Sequence, residues 1–153
     1  MADKRIKIAQ DKSKLLKDLK ASDNSNGPFQ TYVEVMVFAA ALGAKRKKRV
    51  PLIEIAKDVE PIRREYFDRN LYELIINLLA IAETQLPQIL ADDEETNEQR
   101  IEIFEEYANG GLEILQDELR GAVDYYERIL LMINAERLKQ QPEEDFDLSR
   151  FLA

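Results

Sequence analysis

Apolar residues recur at intervals of three and four along most of this 153-residue chain. Such spacing is typical of amphipathic α-helices, whereas strands alternate at intervals of two. Only five glycines and five prolines are present to interrupt it. We therefore expect an all-α fold, a compact bundle of about five helices. Residues 51–56 fit either a strand or a helical turn, so one short strand pair within the connector 44–67 stays open.

The five predicted helices cover residues 9–20, 31–42, 68–86, 92–120 and 123–139. The second is apolar on nearly every face, which predicts a buried central helix, and Gly43 suits its end. In the last helix we expect four residues to face the core: Tyr126, Ile129, Leu130 and Ile133.

The fourth predicted helix contains two adjacent glycines, Gly110 and Gly111, inside a continuous apolar stripe. The stripe comprises Ile101, Phe104, Ala108, Leu112, Leu115 and Leu119. Each glycine costs about 1 kcal/mol relative to alanine in a helix, so a compensating reason is expected. Close packing against another backbone is our interpretation, and two separate helices are the alternative.

Cysteine and histidine are both absent, which removes disulfides, thiolate nucleophiles and the commonest general base and metal ligand. Carboxylates at 92–95, 102, 105 and 106 invite a Mg²⁺ or Ca²⁺ site, but a calcium loop needs a glycine turn that is missing here. Acidic residues at a helix start are expected from the helix dipole alone. We expect no enzyme activity, no metal and no cofactor.

The charge of the chain is divided into two parts. Residues 1–50 carry twelve basic and five acidic residues, a balance of +7. Residues 51–153 carry ten basic and twenty-five acidic residues, a balance of −15. The net charge of the whole chain is therefore −8. A basic region on an acidic protein attracts a polyanion or an acidic protein partner.

The basic region ends in an unbroken cluster that we call the basic loop: Lys45, Arg46, Lys47, Lys48 and Arg49. Lysines and arginines contact phosphates without reading sequence, so we predict weak, salt-dependent nucleic-acid binding here. Arg63 and Arg64, beside Tyr66 and Phe67, are second-tier candidates for the same role. A purely solvated loop is the alternative for the cluster.

The chain divides into a predicted helical domain, residues 1–141, and an acidic and hydrophobic C-terminal tail, residues 142–153. The tail contains spaced apolar residues that we predict to bind a protein partner: Phe146, Leu148, Phe151 and Leu152. No apolar stretch reaches the length of a membrane span, and the charged start is unlike a signal peptide. We therefore expect a cytoplasmic protein, and a homo-oligomer stays open.

Three segments resemble the DNA phosphorothioation (Dnd) system-associated protein 4 family. They are Gly27-Pro28-Phe29 with the following 38–43 (FAAALG), then 78–84 (LLAIAET), and finally 103–112 (IFEEYANGGL). The resemblance covers roughly residues 27–120. It implies membership of a DNA-modification or phage-defence locus and carries over no catalytic residues.

These observations together favour a non-enzymatic accessory subunit that bridges a protein partner and DNA. The alternative is an acidic regulator that mimics DNA and occupies the basic cleft of a DNA-processing enzyme. A third class, a nuclease with a metal held by oxygen ligands, has no support in the spacing of the carboxylates.

Overall fold

The computed structural model describes residues 4–22 and 25–140, and they form mostly helices. The helices are α1 (Ser13–Leu19), α2 (Tyr32–Lys45), α3 (Arg64–Asp68), α4 (Glu73–Thr84), α5 (Glu94–Glu118) and α6 (Tyr125–Gln140). Short 3-10 turns lie at Gln10–Lys12 and Pro87–Leu90. The predicted all-α class is confirmed. Within the described residues, no helix combines the length and apolar content that a membrane span needs.

Four two-residue strands accompany the helices. β1 (Arg5–Ile6) pairs antiparallel with β4 (Ile62–Arg63), and β2 (Ala21–Ser22) pairs antiparallel with β3 (Ser25–Asn26). The connector 44–67 thus contributes one strand, β4, and its partner lies at the N-terminus. This pairing joins residues 5–6 to the end of the connector.

The core is centred on α2 and α5, which are in contact along most of α2. The side chains of Val35 and Met36 on α2 and of Phe104 on α5 are fully buried. Phe67 of α3 meets Phe104 edge-on, with ring centroids 5.4 Å apart. Helix α2 is therefore the buried central helix that its composition predicts.

Helix α5 runs without interruption for 25 residues, through both glycines. Its N-cap is Asp93, whose carboxylate accepts a hydrogen bond of 2.8 Å from the Thr96 N–H. All six residues of its predicted stripe are buried. The prediction of a single helix is thus confirmed over the alternative of two.

The predicted orientation of α6 was wrong for three of its four core residues. Ile129 is buried, but Tyr126, Leu130 and Ile133 are exposed. Met132, one helical turn from Ile129, is also buried in the main core, and the partly buried Tyr125 packs against it. Because the helix contacts the core on one narrow side, most of its apolar residues remain in solvent.

Helix α4 packs on α5 through its buried residues Ile76 and Ala80. A residue with left-handed backbone lies just outside each end of the helix: Leu71 with φ 63° and Gln85 with φ 58°. The side of α4 that faces away from α5 carries further apolar residues, including Leu74 and Leu78, which are exposed.

Candidate nucleic-acid interface

The basic loop follows directly from the end of α2. The Arg46 N–H donates to the Leu42 carbonyl over 3.0 Å, and the Lys48 N–H donates to the Gly43 carbonyl over 2.8 Å. Lys47 lies between them in the left-handed region, with φ 54°. The chain therefore reverses within a few residues and places Lys47 at the tip of the turn.

The glycines of α2 and α5 allow the loop to rest directly on α5. A Cβ at Gly110 would overlap the Lys48 carbonyl, one at Gly111 would overlap the Ala39 carbonyl, and one at Gly43 would overlap the Tyr107 carbonyl. Only glycine leaves room for backbones this close. The interpretation of the paired glycines as packing positions is confirmed.

Polar contacts then fix the chain that follows the loop. The Val50 N–H donates to the Glu106 carbonyl over 3.1 Å. The Asn109 amide donates to the carbonyls of Val50 and Pro51, over 3.1 and 3.4 Å. Residues 106–110 of α5 therefore hold the end of the basic loop and the two residues that follow it.

Three of the five basic side chains form ion pairs with the acidic part of the same chain. Arg46 lies 3.0 Å from Glu136 of α6 and 3.6 Å from Glu118 at the end of α5. Lys48 lies 3.4 Å from Glu113. These pairs are partly exposed, and pairs of that kind contribute about 0–1 kcal/mol each.

Arg49 is held more firmly, because it bridges two helices. It lies 2.8 Å from Glu83 of α4 and 3.0 Å from Glu106 of α5. Burial alone would lower the pKa of Arg49, but hydrogen bonds to these carboxylates outweigh it and raise the pKa.

The Tyr107 hydroxyl also donates to Glu83. Hydrogen bonds from Tyr107 and Arg49 lower the pKa of Glu83, and burial together with Glu83 raises the pKa of Tyr107 to about 12.

Lys45 and Lys47 differ from the three ion-paired residues of the basic loop. Both are exposed, and neither forms an ion pair with any residue in the described part of the chain. Of the five predicted contacts in the loop, these two lysines are the cations whose charge is not already matched by a neighbouring carboxylate.

Arg63 and Arg64 lie away from the basic loop. Arg64 is 3.9 Å from Glu73 in the first turn of α4, whereas Arg49 pairs with Glu83 in its last turn, about 15 Å further along the helix. They line an open cavity of about 890 Å³. Its other residues are Lys4, Glu65, Asp68, Glu73, Asp92, Asp93, Glu94, Asn97 and Arg100. Because acids outnumber cations there, the structure does not join Arg63 and Arg64 to the loop in one basic surface.

A buried carboxylate, Glu105, was not singled out as a separate site by the sequence. It is 6% exposed, and its Oε2 accepts a hydrogen bond of 2.5 Å from the Lys7 N–H. Burial raises the pKa of Glu105 to about 7, although the Lys7 N–H opposes this. Its position one turn from Ile101 and Ala108, on the buried side of α5, was the available signal. Glu105 anchors the N-terminal segment through this hydrogen bond.

The predicted partner-binding residues Phe146, Leu148, Phe151 and Leu152 lie outside the described residues, so the tail stays a prediction. In the part that is described, no three acidic side chains converge as a metal site.

Comparison with known proteins places the chain in a family. No curated protein and no solved structure was found to match it. A family model described as DNA sulphur modification system-associated protein 4 matches residues 5–151, nearly the whole chain. The match includes the three segments on which the resemblance rested and extends through most of the tail. The chain belongs to the DNA sulphur modification system-associated protein 4 family.

Proposed function

We propose that this protein is a non-enzymatic accessory subunit of a DNA sulphur modification system that joins a protein subunit to DNA. Its family ties it to such a system. The observation that carries the DNA part is the basic loop, where Lys45 and Lys47 remain unmatched on a turn fixed to α5.

The ion pairs of the loop determine how strong this contact is. A phosphate that displaced Glu83 and Glu106 from Arg49 would leave two carboxylates without their cation, so Arg49 gives little net gain. A phosphate can replace the carboxylate partners of Arg46 and Lys48 at lower cost, because these ion pairs are partly exposed. We therefore expect the two lysines to contribute most and the whole contact to be weak. A protein partner is then needed to hold the subunit on DNA.

The test is charge reversal at the two lysines. Lys45→Glu with Lys47→Glu should lower affinity for a labelled DNA duplex at least about tenfold at 50 mM salt and reduce the slope of log K against log salt by about 2. Fluorescence anisotropy over a salt series measures both quantities.

A matched control carries the same change in net charge at two other exposed lysines without ion pairs in the described residues, Lys57→Glu with Lys139→Glu. This control should bind DNA nearly as well as the parent. Equal loss in both variants, or binding that ignores salt, would contradict a phosphate contact at the loop.

The protein side is tested by purifying the subunit from its native locus with and without nuclease. A bridging subunit keeps its protein partner after DNA is removed and binds both together. A DNA mimic is instead displaced from its partner by added DNA, and that outcome favours the regulatory alternative.

A further inference from the structure

An open groove lies beside the basic loop, where the second half of α2 and the second half of α6 line it together. We call it the α2–α6 groove, and its volume is about 310 Å³. Five of its eight lining residues are apolar: Phe38, Ala41, Leu42, Met132 and Ile133. Ile133 is 44% exposed. The groove is therefore large enough to receive one or two apolar side chains.

The charged residues of the α2–α6 groove leave it with a positive balance. Lys45 and Arg137 line it and are exposed, and neither forms an ion pair with any residue in 4–22 or 25–140. Glu136, the third charged residue, is already matched by Arg46 at 3.0 Å. The groove is thus complementary to a segment that is both apolar and acidic.

The C-terminal tail has that composition. Residues 143–147 contain four acidic residues and no basic one. Phe146 has an aspartate on each side, Asp145 and Asp147, and Leu148 follows. An aromatic residue flanked by acids therefore matches an apolar groove flanked by cations.

The tail also begins within reach of the groove. It follows α6, one of the two helices that line the groove, and α6 ends at Gln140. Ile133 lies seven residues before Gln140, about 10 Å along the helix. Phe146 lies six residues after Gln140, and six residues span up to about 20 Å. The chain is thus long enough to turn back and place Phe146 beside Ile133.

We propose that the C-terminal tail binds in the α2–α6 groove of its own chain, with Phe146 between the two helices and the neighbouring acids beside Lys45 and Arg137. A tethered segment has an effective concentration in the millimolar range, so an intrinsic dissociation constant of about 1 mM is sufficient. Lys45 is also one of the two lysines proposed to contact DNA. On that proposed function, the tail and DNA compete, and a partner that takes the tail strengthens DNA binding.

Disulfide trapping in the full chain tests the docking, because the chain has no cysteine of its own. Ala41→Cys lies in the groove, is exposed there and pairs with Ser149→Cys beside Leu148. Mild oxidation of this variant near 1 µM protein, far below the effective concentration of the tail, should join the two cysteines within one molecule. Electrophoresis without reductant and mass spectrometry measure the rate.

The matched control combines Ala135→Cys with Ser149→Cys. Ala135 is exposed on α6 but is not among the residues that line the groove. It lies five residues before Gln140, about 8 Å along the helix, so a tail without a binding site reaches it easily. The control should cross-link more slowly than the groove pair. Equal or faster cross-linking in the control would overturn the docking, and so would a disulfide that joins two molecules.

Phe146→Ser, added to the groove pair, should slow its cross-linking about fivefold or more, because the apolar anchor is lost. An unchanged rate would also overturn the docking.

The competition with DNA is measured separately, by fluorescence anisotropy at 50 mM salt. If the tail occupies the groove about two-thirds of the time, Phe146→Ser with Leu148→Ser should raise the affinity for a DNA duplex about threefold. The same tail change in a chain that carries Lys45→Glu and Lys47→Glu should have no effect. An unchanged affinity in the parent would overturn the competition. The disulfide result does not depend on DNA, so it still decides the docking if the proposed DNA contact fails.

Discussion

Helices α4 and α5 are both rich in apolar residues, yet they are used in opposite ways. On α5 even buried polar residues bind other parts of the same chain. Glu105 accepts a hydrogen bond from the Lys7 N–H, and the Asn109 amide donates to the carbonyls of Val50 and Pro51. On α4 the leucines Leu74 and Leu78 are exposed, and no part of the chain that the structure describes covers them. The difference teaches that apolar periodicity predicts a helix and its stripe but does not tell which molecule covers the stripe.

The largest effect is expected where α2 and α5 meet. Gly111→Ala places a Cβ on the Ala39 carbonyl, and the helices must separate to accept it. We expect the free energy of unfolding to fall by about 4 kcal/mol, although alanine is the better helix former. Urea unfolding followed by circular dichroism measures the change.

Gly121→Ala is the matched control for this substitution. Gly121 has φ 76°, and a Cβ there meets no atom within 4 Å. Only the left-handed backbone opposes alanine, at about 1 kcal/mol. Similar losses at both glycines would show that close packing of α2 and α5 is not the reason for Gly111.

The next effect compares the two sides of α4. Ile76→Ala leaves a cavity in the core and should lower the free energy of unfolding by about 3 kcal/mol. Leu78→Ala, two residues away, should change it by less than about 0.5 kcal/mol. Both are measured at the same low protein concentration. Equal losses would show that the side of α4 that carries Leu74 and Leu78 is covered within the same chain.

The smallest effect concerns the pH dependence of stability at Glu105. Its folded pKa is about 7, above the ordinary 4.5, so the folded state keeps a proton that the unfolded chain has released. Stability therefore falls as pH rises from about 4.5 to 7. We expect the parent to lose about 2 kcal/mol between pH 5 and pH 8, and Glu105→Gln to lose much less.

Urea unfolding at the two pH values measures this difference. The chain has no histidine to obscure the result. The control is Glu98→Gln, an exposed residue of α5, which should keep the pH dependence of the parent. A Glu105→Gln variant that is as sensitive to pH as the parent would assign the effect to other groups.

The sequence predicted much of the fold because helical spacing is a local property. The buried stripe of α5 and the packing role of Gly110 and Gly111 followed from residues a few positions apart. The ion pairs of the basic loop did not, since Arg46 meets Glu136 and Arg49 meets Glu83, far along the chain. Charge counted along the sequence therefore overstated the cationic character of the loop.

The side of α6 that faces the core could not be predicted from local sequence patterns either. Its apolar residues are spread around the helix, so spacing alone could not choose the side that meets the core. Packing into the main core selected Ile129 and Met132 and left Leu130 and Ile133 exposed. The position of Glu105 was more accessible, because it continues the buried spacing of α5.

The left-handed residues at the two ends of α4 have a consequence for association. Leu71 and Gln85 set the directions in which the chain enters and leaves the helix, and non-glycine residues adopt this backbone at a cost of about 1–2 kcal/mol each. This cost is part of the free energy of folding, so it does not arise again when a second molecule binds. A rigid, preorganised helix loses little conformational entropy on binding. The exposed Leu74 and Leu78 are therefore displayed by a helix whose two ends are already fixed in the folded chain.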